Sequence, residues 1–370
     1  MKTKNRFILR SIFVSGLLAV GLSFPAFCKV SKEAVQKAEK IIRGAVSSTN
    51  SSTRDKVAIA LGGTSTWGDL SFPKDKELLL DLLKDSDEYV RIAAAVALYK
   101  KGDMSGGPVL QDILEKTPLP TGANQILVQF QSIAVAKKRA AAARALGDFK
   151  SPQWQAVLKR SRHDQNGQVR DAVAVGLAKM GDRTELIVFQ SAAKDEDEGI
   201  RVAALEALAE APEESSINIL LESLSDPSGS VRAAAVMGLK NAKKAEAWRE
   251  VASLLRDSSA VVRERAVVAL GAFGNQEAAG TLKNMLTDEN GFVRIEVARS
   301  LALLGDNSGL VVVQVGLASE DADVRIRSAE SLAAFTNEKD WSEAIPALND
   351  PDDRVQLAAA LTIWTKGNKK

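Results

Sequence analysis

The run Asp226-Pro227-Ser228-Gly229-Ser230-Val231-Arg232-Ala233-Ala234-Ala235-Val236-Met237-Gly238-Leu239 decides the fold. Its first five residues are turn formers that supply a capping oxygen and stop a preceding helix. The rest is Ala-rich, with apolar residues at helical spacing. The same register recurs along the chain. Arg170, Arg201, Arg232, Arg263, Arg294 and Arg325 each follow a Val or Ile, and each lies 31 residues after the last. One more step reaches Gln356 behind Val355, and one step back reaches Arg139. Arg91 and Arg54 extend the series upstream at spacings of 48 and 37.

Every unit has one grammar. Seven residues after the Arg stands a Leu, from Leu61 and Leu98 through Leu332, with Ile363 in the last unit. Six residues before the Arg stands an Asp in most units: Asp85, Asp164, Asp195, Asp226, Asp257, Asp288 and Asp350. A second apolar-periodic segment precedes each Asp, such as Ile217 to Leu224. Each unit is therefore a helical hairpin, too short to bury its apolar face alone but able to do so when stacked. The expected fold is all-α: an α-solenoid, a right-handed superhelix of about ten stacked hairpins. At 8–10 Å per packed helix layer, an open array would be a curved rod on the order of 90 Å long.

The pattern Asp-x4-[Val/Ile]-Arg-x-x-Ala-x3-Leu resembles the short HEAT repeat of phycobilin lyases and deoxyhypusine hydroxylase, and it covers about residues 31–366. The resemblance implies a hydrogen-bonded ladder between repeats, carried by Asp164 with Arg170, Asp195 with Arg201, Asp226 with Arg232, Asp257 with Arg263, and Asp288 with Arg294. Ile133, Ser319 and Gln356 depart from the pattern, so the ladder is expected to weaken in repeats three, nine and ten. The hydroxylases of this family bind iron through His-Glu pairs. This chain has one His and no His-Glu dipeptide, which sets that activity aside.

Two places break the rhythm. An insertion of about 117–133 in the third repeat contains Thr117-Pro118-Leu119-Pro120-Thr121-Gly122 and then an apolar run, Ile126 to Phe130. Gly62 to Pro73 reads as a plain connecting loop. At the start, Lys2, Lys4, Arg6 and Arg10 precede an apolar stretch, Ser11 to Phe24, and Ala26 and Cys28 stand at −3 and −1 of a cut before Lys29. Residues 1–28 thus read as a secretory signal peptide, too short to be a standard membrane span, with an uncleaved anchor as the alternative. Phe27 before Cys28 departs from a lipobox. The domain plan is 1–28 signal and 29–370 solenoid.

Chemistry is sparse in this sequence. A single Cys and a single His exclude a disulfide framework, thiolate zinc sites and multi-imidazole metal centres. No nucleophile elbow or phosphate-binding Gly loop occurs, and the acidic run Asp195 to Glu198 lacks the EF-hand order of ligands. His163 beside Asp164 reads as a turn residue. No catalytic residue, cofactor or metal is expected. The formal charge over residues 29–166 is +7 and over 167–370 is −9, hidden within a whole-chain net of +2.

The functional expectation is a non-enzymatic scaffold or adaptor of the cell envelope, periplasmic or extracellular. It would bind another protein or peptide along the concave face, with no nucleic acid and no small-molecule substrate, and would touch membrane only through an uncleaved anchor. An enzyme of the HEAT-like lyase or oxidoreductase class and a purely structural spacer are the alternatives. Candidate contact residues are Arg144, Arg265, Glu296, Arg299, Arg327 and Glu330, together with Leu119, Ile126 and Phe130 of the insertion.

Overall fold

The computed structural model describes residues 30–63, 66–68, 70, 72–117, 121–122 and 124–367. The signal-peptide reading of residues 1–28 and the candidate Leu119 lie outside them. Among the described residues are twenty α-helices in ten antiparallel pairs, several of them ending in a short 3-10 turn. The first member of each pair is α1 (Lys32–Ala45), α3 (Asp75–Leu82), α5 (Gly107–Lys116), α7 (Pro152–Arg160), α9 (Leu186–Ala192), α11 (Glu214–Glu222), α13 (Trp248–Ser253), α15 (Glu277–Asn284), α17 (Leu310–Leu317) and α19 (Glu338–Trp341). The second is α2 (Ser51–Leu61), α4 (Glu88–Lys100), α6 (Gln125–Asp148), α8 (Gly167–Lys179), α10 (Glu198–Glu210), α12 (Gly229–Asn241), α14 (Ala260–Phe273), α16 (Gly291–Leu303), α18 (Ala322–Ser331) and α20 (Asp353–Gly367).

The even helices form the inner layer. The Leu seven residues after each ladder Arg points into the core: Leu61, Leu98, Leu146, Leu208, Leu239, Leu270, Leu301 and Leu332 have no exposed surface. Small residues let these helices approach one another closely. A Cβ on Gly147 of α6 would come within 2.5 Å of the Gly176 backbone in α8, so this contact admits no side chain at either glycine.

The turns before the even helices explain the grammar of the sequence. In seven of the ten, an Asp in the repeating register accepts a hydrogen bond from the backbone N–H two residues on, as Asp226 does from Ser228 (2.8 Å) and Asp288 from Asn290 (2.9 Å). The residue at that second position often caps the next helix: Asn166 accepts from Gln168, Asp197 from Gly199 and Asn290 from Phe292. These are N-cap bonds to otherwise unsatisfied helix donors. The acidic run Asp195 to Glu198 is thus occupied with starting α10.

The two ends of the array meet. The apolar cluster that holds Ala38 and Ile42 of α1 also holds Leu357, Ala358, Leu361 and Trp364 of α20. Val30 N–H donates to Glu338 of α19 (2.8 Å), Lys37 bonds Asn349, and Lys56 of α2 pairs with Glu330 of α18. The expectation of an open rod is therefore corrected to a closed ring. The physical reason is that a terminal hairpin exposes the apolar face its next neighbour would cover. Here α1 covers α20 as a following repeat would.

The connection Gly62 to Pro73 is not a plain loop either. Trp67, Leu70 and Phe72 are buried, and they bolt the closure. Trp67 Nε1 donates to Thr362 of α20 (3.3 Å), and Phe72 packs against Trp364 at 4.9 Å between ring centroids, tilted by 59°. Truncating a buried Trp costs about 3 kcal/mol or more. Trp67→Ala should therefore raise amide hydrogen exchange in α1 and α20 by about two orders of magnitude while α10 to α14 keep their protection. Unchanged protection of α1 and α20 would show that the ends are held by something else.

Candidate functional site

The ladder, the inner face and the projecting start of α6 carry ion-pair chemistry or exposed apolar area; smaller apolar spots lie at Ile187 and Val188 of α9 and at Val311 and Val315 of α17. In the ladder each Arg spans two repeats. Arg232 donates through Nε and Nη2 to the Asp257 carboxylate of the next repeat (2.7 and 2.8 Å), and through Nη1 to the Asp226 carbonyl of its own turn (2.8 Å). Arg201 with Asp226, Arg263 with Asp288 and Arg325 with Asp350 repeat the arrangement. Arg54 with Asp85 does so in the first half, whereas Arg139 reaches Asp164 through Nη1 and Nη2 and donates through Nε to the Leu114 carbonyl.

The pairing within a turn therefore runs to the backbone, as in Arg170 to the Asp164 carbonyl (2.8 Å) and Arg201 to the Asp195 carbonyl (2.9 Å). The carboxylate goes to the Arg of the preceding repeat. Arg294 keeps only the backbone half, because Ser319 stands where the next Asp would be. Gln356 substitutes for Arg by donating to the Asp350 carbonyl. Arg170 likewise bonds only to backbone, and Asp195 spends its carboxylate on its own turn.

Bonds from Arg54, Arg232 and Arg325 hold Asp85, Asp257 and Asp350 below the usual carboxylate range. At Asp226 and Asp288 burial pushes upward, but Arg201 and Arg263 outweigh it and the result is again a lowered value. A carboxyl whose folded pKa is depressed stabilises fully above its unfolded pKa and loses that contribution as pH falls through the folded value. Thermal stability should accordingly hold at pH 6 and decline steeply below about pH 4. Arg232→Lys keeps the charge but loses the two-pronged geometry, and should cost about 1 kcal/mol at neutral pH with a smaller loss at pH 3. An equal loss at both pH values, read from melting curves, would contradict this assignment.

On the inner face the expected contact residues face one another. Residues two repeats apart touch, as a tightly curved ring requires. Arg327 donates to Glu264 (2.7 Å), lies 3.4 Å from Glu296, and stacks over the Phe292 ring at 5.2 Å. Arg299 reaches Glu296 (3.5 Å) and the hydroxyl of Thr66 (3.4 Å). Glu330 pairs with Lys56, and Arg144 of α6 pairs with Glu210 of α10 (3.2 Å). Arg265 and Arg299 together depress the ammonium of the half-buried Lys240, second to burial itself. Around Thr66, Glu296, Arg299, Arg327 and Glu330 remains a polar cavity of about 110 Å³. Arg144, Glu296, Arg299, Arg327 and Glu330 thus have intramolecular partners.

The basic cluster of the first half is largely spent in the same way. Lys138 pairs with Glu88, Arg160 with Glu115, and Arg162 with Asp182 and Glu185. His163 ends a short 3-10 turn at the surface.

The insertion lengthens an inner helix. Arg139 sits in ladder register, so Gln125–Val135 of α6 lies beyond the point where its neighbours start; Lys138 already pairs with Glu88, the first residue of α4. Eleven helical residues project about 16 Å from that rim. Ile126 and Phe130 are each 68% exposed, and Leu127 and Ile133 are exposed beside them. No residue from Gln125 to Ala136 carries a charge. Residue 30 enters at the opposite rim, where Gly367 ends α20 against Val35 and Val30.

A second apolar feature lies on the inner face between α2 and α4. It is a pocket of about 290 Å³ whose walls include Ile59, Tyr89, Ile92 and Val96, with Asp55 at one edge and Lys100 at another. Burial, with the Asp87 carboxylate near, pushes Asp55 up to about 6. Asp55 and Tyr89 are not among the contact residues expected from sequence. Their signal is one of register: each occupies a position where the second half of the ring places a member of the Arg327 cluster.

The HEAT-repeat family profile matches residues 38–127, 134–209, 155–240 and 249–333. The chain is a HEAT-repeat protein. Among solved structures, human deoxyhypusine hydroxylase is similar at 18% identity over 74% of this chain and 97% of that one, with a TM-score of 0.35. The CpcE–CpcF complex of phycocyanin lyase from Nostoc sp. is similar at 20% identity, over 69% and 92%, with a TM-score of 0.38. The Kap95:Nup1 complex is similar at 14% identity, over 89% and 51%, with a TM-score of 0.37. No curated protein matches the chain. Among the described residues no helix of this HEAT array is long and apolar enough to cross a membrane.

Proposed function

We propose that this HEAT-repeat ring is a non-enzymatic scaffold of the cell envelope that binds a partner protein. The observation that carries the reading is the projecting first half of α6. A folded protein rarely presents Ile126, Leu127, Phe130 and Ile133 together to water unless another surface covers them. Residues 126, 130 and 133 lie on one helix face, the spacing by which an apolar helix stripe is read by a groove. The ring is suited to display such a stripe rigidly, because α6 continues into the packed core at Ala136, Ala140 and Ala143. The export pattern read in residues 1–28 supports a partner in the periplasm or outside the cell. Residue 30 and the projection lie on opposite rims, so the stripe would point away from wherever the leader is held.

This reading moves the main contact from the inner charged residues to the insertion. Arg265 and the paired residues around Arg327 line the ring's interior, and a partner reaching them would have to compete with existing ion pairs. A photo-crosslinking side chain at Gln129, in the full chain in its native envelope, should give one saturable adduct. Phe130→Glu, with the crosslinker in place, should abolish that adduct without altering the melting temperature, because Phe130 is outside the core. No adduct, or an adduct insensitive to Phe130→Glu, would remove the basis for this function.

A further inference from the structure

The Arg327 cluster and the pocket between α2 and α4 are built on the same register, with one group missing from the pocket. Glu264 immediately follows the ladder residue Arg263, Phe292 stands two before Arg294, and Arg327 stands two after Arg325. Three successive repeats thus contribute a carboxylate, an aromatic ring and a guanidinium, which the structure joins at 2.7 Å and 5.2 Å. In the first half, Asp55 immediately follows Arg54 and Tyr89 stands two before Arg91. The residue two after Arg139 is Ala141. The carboxylate and the ring are present, and the position of the guanidinium holds a methyl group.

The consequences are visible in the pocket. Where Arg327 fills the space beside Phe292, a cavity of about 290 Å³ opens beside Tyr89, and Tyr89 is exposed. Glu296, the second acid on Arg327, corresponds to Ala93, and Arg299 corresponds to Val96, so the pocket is wider and more apolar than its counterpart. Asp55 has no hydrogen-bonded or ion-paired partner among the described residues. The nearby cations are engaged elsewhere: Lys100 donates to the Gly63 carbonyl (3.2 Å) and Lys56 pairs with Glu330. A half-buried carboxylate with no counter-ion, lining an apolar pocket together with an aromatic ring, lacks a flat cation.

We infer that the pocket between α2 and α4 is a guanidinium-binding site, filled by an arginine side chain of the partner protein, with Asp55 as its carboxylate and Tyr89 as its stacking face. Guanidinium suits both walls better than ammonium, since it is planar, stacks on aromatic rings and is weakly hydrated. Ile59, Ile92 and Val96 would cover the methylenes of the side chain. The inference relies on the scaffold reading only for the source of the arginine, because the site itself can be titrated with a small probe.

The experiment titrates N-acetyl-arginine amide into the full protein and follows Ile59, Ile92 and Val96 methyl resonances. Saturable shifts with a dissociation constant on the order of millimolar are expected. The neutral citrulline analogue should bind at least about tenfold more weakly, as should the arginine probe with Asp55→Asn. The lysine analogue should fall between them. Ala141→Arg should supply the missing group from within, raise the melting temperature and abolish the shifts. Saturation equal with the citrulline analogue, no saturation at all, or undiminished binding to Ala141→Arg would overturn the inference. Binding of the free probe together with partner capture unaffected by Asp55→Asn would overturn the arginine side chain as its occupant. The probe titrations do not depend on the Gln129 crosslink, so the pocket and the scaffold reading fail separately.

Discussion

A stack of helical hairpins has two ends, and each end exposes the apolar face that its next neighbour would have covered. Every other feature of this molecule is arranged around how those faces are closed. Capping repeats with polar outer faces are the usual solution. Here Ala38 and Ile42 of α1 lie in one core with Leu357, Leu361 and Trp364 of α20, so each end is the cap of the other. Closure needs enough curvature for ten hairpins to complete a turn. The small residues of the even helices permit it, and the Arg–Asp bonds between successive turns hold one rim in register.

The interior chemistry follows from the same curvature. In a gently bent array, side chains two repeats apart would be separated by the width of the helix between them. In this ring Arg144 meets Glu210 and Arg327 meets Glu264, so the interior is lined by charges that neutralise one another. Such partly buried pairs contribute little to net stability, but removal of one partner leaves the other uncompensated. Asp55 is one place where this compensation stops, and it is also where the inner wall opens into an apolar pocket. On the outside, the projecting half of α6 is an apolar stripe that no part of the described ring covers.

The sequence spells out local structure in unusual detail because its period is so regular. The Leu seven residues after each Arg, the Asp six before it and the Ala between them place nearly every helix and most of the core. The ladder was legible too, although its direction was not. The family resemblance implies a pairing of Asp226 with Arg232, whereas the carboxylate of Asp226 turns to Arg201. Closure left almost no trace, since no pattern marks α1 as the neighbour of a helix some 320 residues away. Its one clue was Trp67, Leu70 and Phe72, three large apolar residues in a Gly-rich connection that has no helix to bury them. The fate of Arg299, Arg327 and Glu330 depended on the same closure. A reading that assumes an open concave face leaves them free for a partner.

Small-angle X-ray scattering of the full chain tests ring closure most directly. A closed ring should give a radius of gyration slightly above the roughly 20 Å of a compact chain of this length, with a maximum dimension well short of an extended array. Trp67→Ala with Phe72→Ala should lengthen the particle. A wild-type profile fitted by a curved rod on the order of 90 Å, unchanged by those substitutions, would contradict the closure and the interior built on it.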